Sequence, residues 1–113
     1  AVAAIPGGSC VLAGTFTTSI TLGAGEANET TLNTAFAYES NLFLARYNAA
    51  GRLEAAMRVP AIGGASDVVI SPAGGVLAAG WIAGGTTLYD TTGAPLRVSS
   101  MGAEDAFVAR VVF

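Results

Sequence analysis

The chain alternates short apolar runs with breaks built from Gly, Pro, Asn and Asp. The runs are four to eight residues long, the length of strands rather than of helices. Val2–Ile5, Cys10–Phe16, Leu42–Tyr47 and Arg52–Val59 make a first set of four predicted strands. Asp67–Ile70, Val76–Ile82 and Ala106–Val111 make a second set of three. The breaks between them carry hairpin chemistry. Asn48-Ala49-Ala50-Gly51 suits a type I turn closed by a left-handed Gly51. Ser71-Pro72-Ala73-Gly74 places proline where φ is preset and glycine where φ can be positive. Asp90-Thr91-Thr92-Gly93 is a third turn of this kind. One segment is ambiguous. "RLEAAMRV" has high helix propensity, and Leu53, Ala56 and Met57 would share a helix face. Gly51 and Pro60 confine it to a length short for a helix and normal for a strand, and the pattern around it decides for strand.

The two sets repeat one another. Asn41-Leu42-Phe43-Leu44-Ala45-Arg46 matches Asp105-Ala106-Phe107-Val108-Ala109-Arg110, 64 positions on (105 − 41). Val11-Leu12-Ala13 matches Val76-Leu77-Ala78 at 65 positions (76 − 11), Leu22 falls near Leu88, and Leu32 lies 64 before Leu96. A near-constant spacing makes the chain not quite two copies of one unit. The first copy is expected over 1–65, with a long insert at 17–40, and the second, lacking its last strand, over 66–113.

The composition supports a packed all-β chain and removes much chemistry. The chain is 52% hydrophobic and 12% charged, the reverse of a disordered sequence. Net charge is −3 and the five basic residues, all Arg, are scattered, which gives nucleic acid no basic patch. Histidine is absent, removing the commonest general base and metal ligand. Cys10 is the sole cysteine, so no disulfide forms within the chain. No apolar run approaches the ~18 residues of a membrane-spanning helix. No basic n-region of a signal peptide precedes the first strand, as expected of a mature or processed piece.

The order of parts resembles a known repeat. "VLAG-F" at Val11–Gly14 and Phe16, "ITLG" at Ile20–Gly23, the third-strand phrase at Asn41–Tyr47 and "NAAGRL" at Asn48–Leu53 are similar to the bacterial seven-bladed β-propeller (SBBP-type) repeat family. Val76–Trp81 and Asp105–Arg110 carry the second occurrence, with Gly80 before the aromatic slipping the alignment by one. The insert "AGEANETTLNTAFAYES" departs from the pattern. The resemblance covers nearly the whole chain and implies about two four-stranded propeller blades, the second lacking its last strand. It implies that Phe43 and Phe107 fill the same layer between blades, and that Asn41 and Asp105 cap the turn entering the third strand. Propellers close with about four or more blades, so a fragment or a protomer of a ring is expected. Its partners would be further blades or copies of the same chain. The implied setting is a bacterial cell surface, periplasm or extracellular assembly.

Candidate sites each have a plainer reading. Trp81, the only tryptophan, and Tyr38 could stack on a sugar, but Trp81 also stands where Phe16 stands in the first copy, as a packing residue. Glu104 and Asp105 are neighbours that would point to opposite faces of a strand, a poor pair for glycoside chemistry and a good turn cap. Glu26 and Glu29 are expected in solvent, and Asn28-Glu29-Thr30 fits the three-residue N-glycosylation pattern, a weak signal. Cys10 has no basic neighbour in sequence and reads as an inert thiol. The glycine-rich "IPGGS", "GGAS" and "PAGG" lack the Gly-Lys-Ser/Thr of a phosphate loop. The expectation is therefore a non-enzymatic structural or protein-interaction segment without cofactor or metal. The alternatives are a glycan-binding oligomeric propeller and a fragment of a propeller enzyme whose catalytic groups lie elsewhere.

Overall fold

The computed structural model describes all residues except Ala73, Gly74, Asp90, Thr91 and Phe113, with backbone only at Ala61, Tyr89 and Leu96. Parts of two expected turns, Ala73-Gly74 and Asp90-Thr91, thus lie outside the described residues. The chain is all-β. Among the described residues there is no helix, and every strand pairing is antiparallel.

Ten strands run in the order β1 (Val2–Ala4), β2 (Cys10–Thr17), β3 (Ser19–Leu22), β4 (Thr30–Asn33), β5 (Ser40–Tyr47), β6 (Leu53–Ile70), β7 (Val76–Ala83), β8 (Gly85–Tyr89), β9 (Pro95–Ser99) and β10 (Asp105–Val111). Six form one sheet in the order β1-β2-β5-β6-β7-β10, while β3-β4 and β8-β9 are separate hairpins. The ambiguous "RLEAAMRV" is strand: from Leu53 onward it pairs with β5. Tertiary pairing overrides its helical propensity.

β6 is the pivot. Its first part, to Ile62, pairs with β5, and its second part, from Ile62 to Ile70, pairs with β7. The expected last strand of the first copy and first strand of the second are therefore one continuous 18-residue strand. The pairing is irregular on both sides of the changeover. The register shifts between Asn41 and Leu42, opposite the stretch holding Pro60, and again between Ala65 and Asp67. A proline in a strand is tolerated at such an irregularity because it has no N–H to give the ladder. Backbones approach closely there: a Cβ on Gly80 would sit 2.0 Å from the Gly64 carbonyl oxygen.

The two halves of the sheet pack on each other. Val11, Ala13 and Leu44 of the first half share a buried cluster with Val68, Val76 and Ala78 of the second, flanked by Ala3, Met57, Ile70 and Val111. The opposite face of the first half holds a second cluster. Phe16, Phe43, Ala45 and Leu53 pack there beneath Leu22, Ile20 and Leu32 of the β3-β4 hairpin. β5 is thus covered on both faces, which is why Asn41–Ala45 is buried at five successive positions. The hairpin joining β5 to β6 has the expected form. Gly51 is left-handed (φ 76°), its amide donates to the Asn48 carbonyl at 2.9 Å, and Asn48 Oδ1 accepts the amides of Ala50 and Arg52.

Candidate interaction surface

The internal repeat lets each half act as a reference for the other. Val11 and Val76, and Ala13 and Ala78, occupy the same shared cluster, so β2 maps on β7 at 65 residues. Ala13 pairs with Leu44, and Ala78 with Ala109. The spatial counterpart of β5 in β10 is therefore also 65 residues on (109 − 44), one more than the sequence match at 64.

That single residue corrects the expected equivalence of Phe43 and Phe107. A one-residue slip moves every side chain to the other face of a sheet. Phe43 lies on the outer face beneath the β3-β4 hairpin, where it meets Phe16 edge to face at 6.3 Å between ring centres. Phe107 alternates with Val108 and shares a face with Ala109 and Val111, the face of the shared cluster, where it is half-buried. The counterpart of Phe43 is Val108. What the two phenylalanines keep in common is a glycine opposite: Gly14 across from Phe43 and Gly80 across from Phe107. A Cβ on Gly14 would lie 2.6 Å from the Phe43 ring, so the ring occupies the space a side chain would fill.

The expectation that Asn41 caps a turn is also corrected. Asn41 is fully buried in β5, and its Oδ1 accepts a hydrogen bond from Arg58 Nη1 on β6 at 2.9 Å. Asp105 stands at the start of β10 and accepts the Met101 amide through Oδ2. Glu26, expected in solvent, is half-buried: its Oε2 accepts the Leu53 amide at 2.6 Å. Asn28 Nδ2 donates to the Leu53 carbonyl at 3.2 Å, so the β3-β4 loop grips both backbone groups of one residue in β6. Nothing in the sequence marks that grip, because it links positions 25 to 27 residues apart. Glu29 remains exposed and accepts the Gly25 amide at 2.6 Å.

Trp81 stands at the position of Phe16, 65 residues on, and is half-buried. It runs alongside Gly64, where a Cβ would come 2.7 Å from Trp81 Nε1. Tyr38 is 91% exposed, adopts a positive φ of 66°, and has Phe36, 72% exposed, two residues before it. Thr34 Oγ1 donates to the Phe36 carbonyl at 2.7 Å, and Glu39 Oε2 accepts the Phe36 amide at 3.4 Å. Cys10 is half-buried and free. Among the described residues no three of Cys, Asp and Glu gather as metal ligands would.

Two depressions mark the surface. The larger, about 210 Å³, opens between the sheet halves and is lined by Ile5, Val11, Ile70, Val76, Val112 and Arg46. Arg46 Nε lies 2.8 Å from Glu54 Oε2, at an angle too poor for a hydrogen bond, so the pair adds little. The smaller, about 150 Å³, is a shallow trough on the outer face of the second half, among Asp67, Val69, Leu77, Ala79 and Val108. The two halves differ most at this outer face. The first is sealed by β6 and the β3-β4 hairpin. The second leaves Val108 74% and Val69 49% exposed, and β10 ends the sheet with one edge unpaired among the described residues. The second hairpin, β8-β9, instead reaches β6, where Thr86 Oγ1 donates to the Pro60 carbonyl.

No protein-family model, no curated protein and no solved structure matches the chain.

Proposed function

We propose that the chain is a non-enzymatic segment of a β-propeller-like assembly, serving as a structural or protein-interaction module. One observation carries this reading. β6 is at once the last strand of the first repeat and the first strand of the second. Units joined through a common strand can be added in series, each burying the face its neighbour leaves open. Among the described residues the outer edge of β10 has no strand beside it and the neighbouring apolar face is uncovered, the condition of a unit awaiting its neighbour. The resemblance of Val11–Phe16, Asn41–Leu53 and Val76–Trp81 to propeller repeats supports the same reading, as does a sequence without histidine. A low-charge, Thr- and Gly-rich chain suits an extracytoplasmic bacterial surface, which we propose as its setting.

The test is the scattering profile of the purified chain across a concentration series. An extended association product built by regular addition of protomers is expected. A compact monomer at every concentration overturns the reading.

A second reading, glycan binding, rests on Tyr38 and Phe36. Two exposed aromatics on a turn with a strained non-glycine φ have no packing role to account for them. Their neighbours Thr34, Glu39 and Ser40 supply hydroxyl and carboxylate groups and no positive charge. A glycan array probed with the chain and with Tyr38→Ala decides it: loss of a specific signal in the variant supports sugar stacking, and no signal from either rejects it.

A further inference from the structure

The first repeat shows in atomic detail what covers the surface that the second leaves open. The edge of β5 away from β2 is taken by Leu53–Val59 of β6, in the register Leu42↔Val59, Leu44↔Met57 and Arg46↔Ala55. That strand supplies Leu53 to the outer cluster. It also presents the Leu53 amide and carbonyl to Glu26 and Asn28, which hold the β3-β4 hairpin over Phe16 and Phe43. The hairpin and the strand are thus one seal. Displaced by 65 residues, the same edge belongs to β10, and among the described residues no strand lies along it. Trp81 stands for Phe16 and Val108 for Phe43, half-buried and exposed where those two are buried, while Leu77 is half-buried as its counterpart Leu12 is.

We propose that β10 is a receptor strand for an added antiparallel strand with the chemistry of residues 52–59. That chemistry is a leucine at the start, small or apolar residues on alternate positions, and an arginine opposite Val108. The register follows from the first repeat: the incoming arginine takes the place of Arg58, which pairs with Phe43. Main-chain hydrogen bonds to the free edge hold the strand, and the alternate side chains fill the trough around Val69, Leu77 and Val108. The proposal rests on the propeller-like reading but names the surface, the direction and the side chains of the partner strand.

The chain contains its own probe. A synthetic peptide of residues 48–60 reproduces the turn and strand that cover the first repeat. Added to the isotope-labelled full chain, it is expected to slow amide exchange at alternate residues of β10 and to saturate. A peptide of scrambled order is expected to leave exchange unchanged. Val108→Lys puts a charge on an exposed position, so the fold is retained, and because it sets a like charge opposite the incoming arginine it is expected to weaken peptide binding at least tenfold. No slowing in β10, equal effects of the scrambled peptide, or unchanged binding to Val108→Lys each overturns the proposal. If the chain still associates in series while the peptide fails, the broader reading stands and this assignment of β10 falls. A compact monomer that nevertheless binds the peptide separates the two in the other direction.

Discussion

Asn41 is the one buried polar side chain among the described core residues, and it is tied to Arg58 across the β5-β6 ladder. Its removal takes away a charge-assisted partner, so Asn41→Ala is expected to destabilise by about 1–3 kcal/mol. Urea denaturation measures this, and a change within experimental scatter would show that Arg58 is satisfied by water instead. The two phenylalanines of the repeated phrase should part company in the same assay. Phe43→Ala empties a buried site against Phe16 and Gly14 and is expected to cost roughly 3–5 kcal/mol. Phe107 is half-buried on the other face, and its replacement by alanine is expected to cost less than about 2 kcal/mol. Equal losses at the two positions would mean that they occupy equivalent environments, and that the 65-residue register is mistaken. The sequence match at 64 residues could not reveal this. Identity of type aligns Phe with Phe, whereas a strand is aligned by its ladder, and in that ladder Trp81 matches Phe16 while Gly80 stands one place beyond the counterpart of Gly14.

At the scale of elements, periodicity and turn chemistry made most strands legible. Cys10–Phe16 is β2 to within a residue, Leu42–Tyr47 lies within β5, and the Asn48–Gly51 turn has its expected bonds. The 17–40 insert holds a hairpin, and so does 83–104. What the sequence hid was the continuity of β6. Pro60 reads as a stop, and Gly63-Gly64 reads as a turn, yet the chain passes through all three as strand because the proline sits at an irregular pairing. The glycines allow β7 to come close. This makes the two cross-strand glycines unequal. At Gly14 a methyl would meet the edge of a ring that can shift, and at Gly80 it would meet the Gly64 carbonyl at 2.0 Å. Gly80→Ala is expected to destabilise more than Gly14→Ala, by on the order of 1–3 kcal/mol beyond it. Thermal unfolding of the two variants side by side reads the difference, and the reverse order would mean that β6 and β7 are farther apart than described. The grip of Glu26 and Asn28 on Leu53 was invisible for another reason: a polar residue in a loop looks the same in sequence whether it faces water or a distant backbone. Glu26→Ala is expected to speed amide exchange at Leu53 and across β3-β4 while leaving β7 and β10 unchanged.

At the scale of the molecule, the two halves bury one face between them and treat their other faces differently. The first has a hairpin fastened over it. The second has Val69, Leu77 and Val108 side by side on β6, β7 and β10, and among the described residues no strand lies along the outer edge of β10. An apolar face flanked by an open edge favours association both by burial and by main-chain pairing. If that face drives association, charge on it should act in solution without touching the fold. Val69 and Val108 are exposed and face away from the shared cluster, so Val69→Lys and Val108→Lys remove few packed contacts. The double variant is expected to unfold within a few degrees of the parent chain when both are measured dilute. In light scattering at high concentration it is expected to stay monomeric where the parent associates, because two like charges per chain meet across any contact between such faces. A control charge on the first half, such as Thr31→Lys on the exposed side of β4, is expected to leave association unchanged. Should the control suppress association as strongly as the pair, net charge alone governs it and the outer face of β10 has no special part. Should neither suppress it, the copies meet through the cleft between the sheet halves, and the uncovered face of the second repeat is not what brings them together.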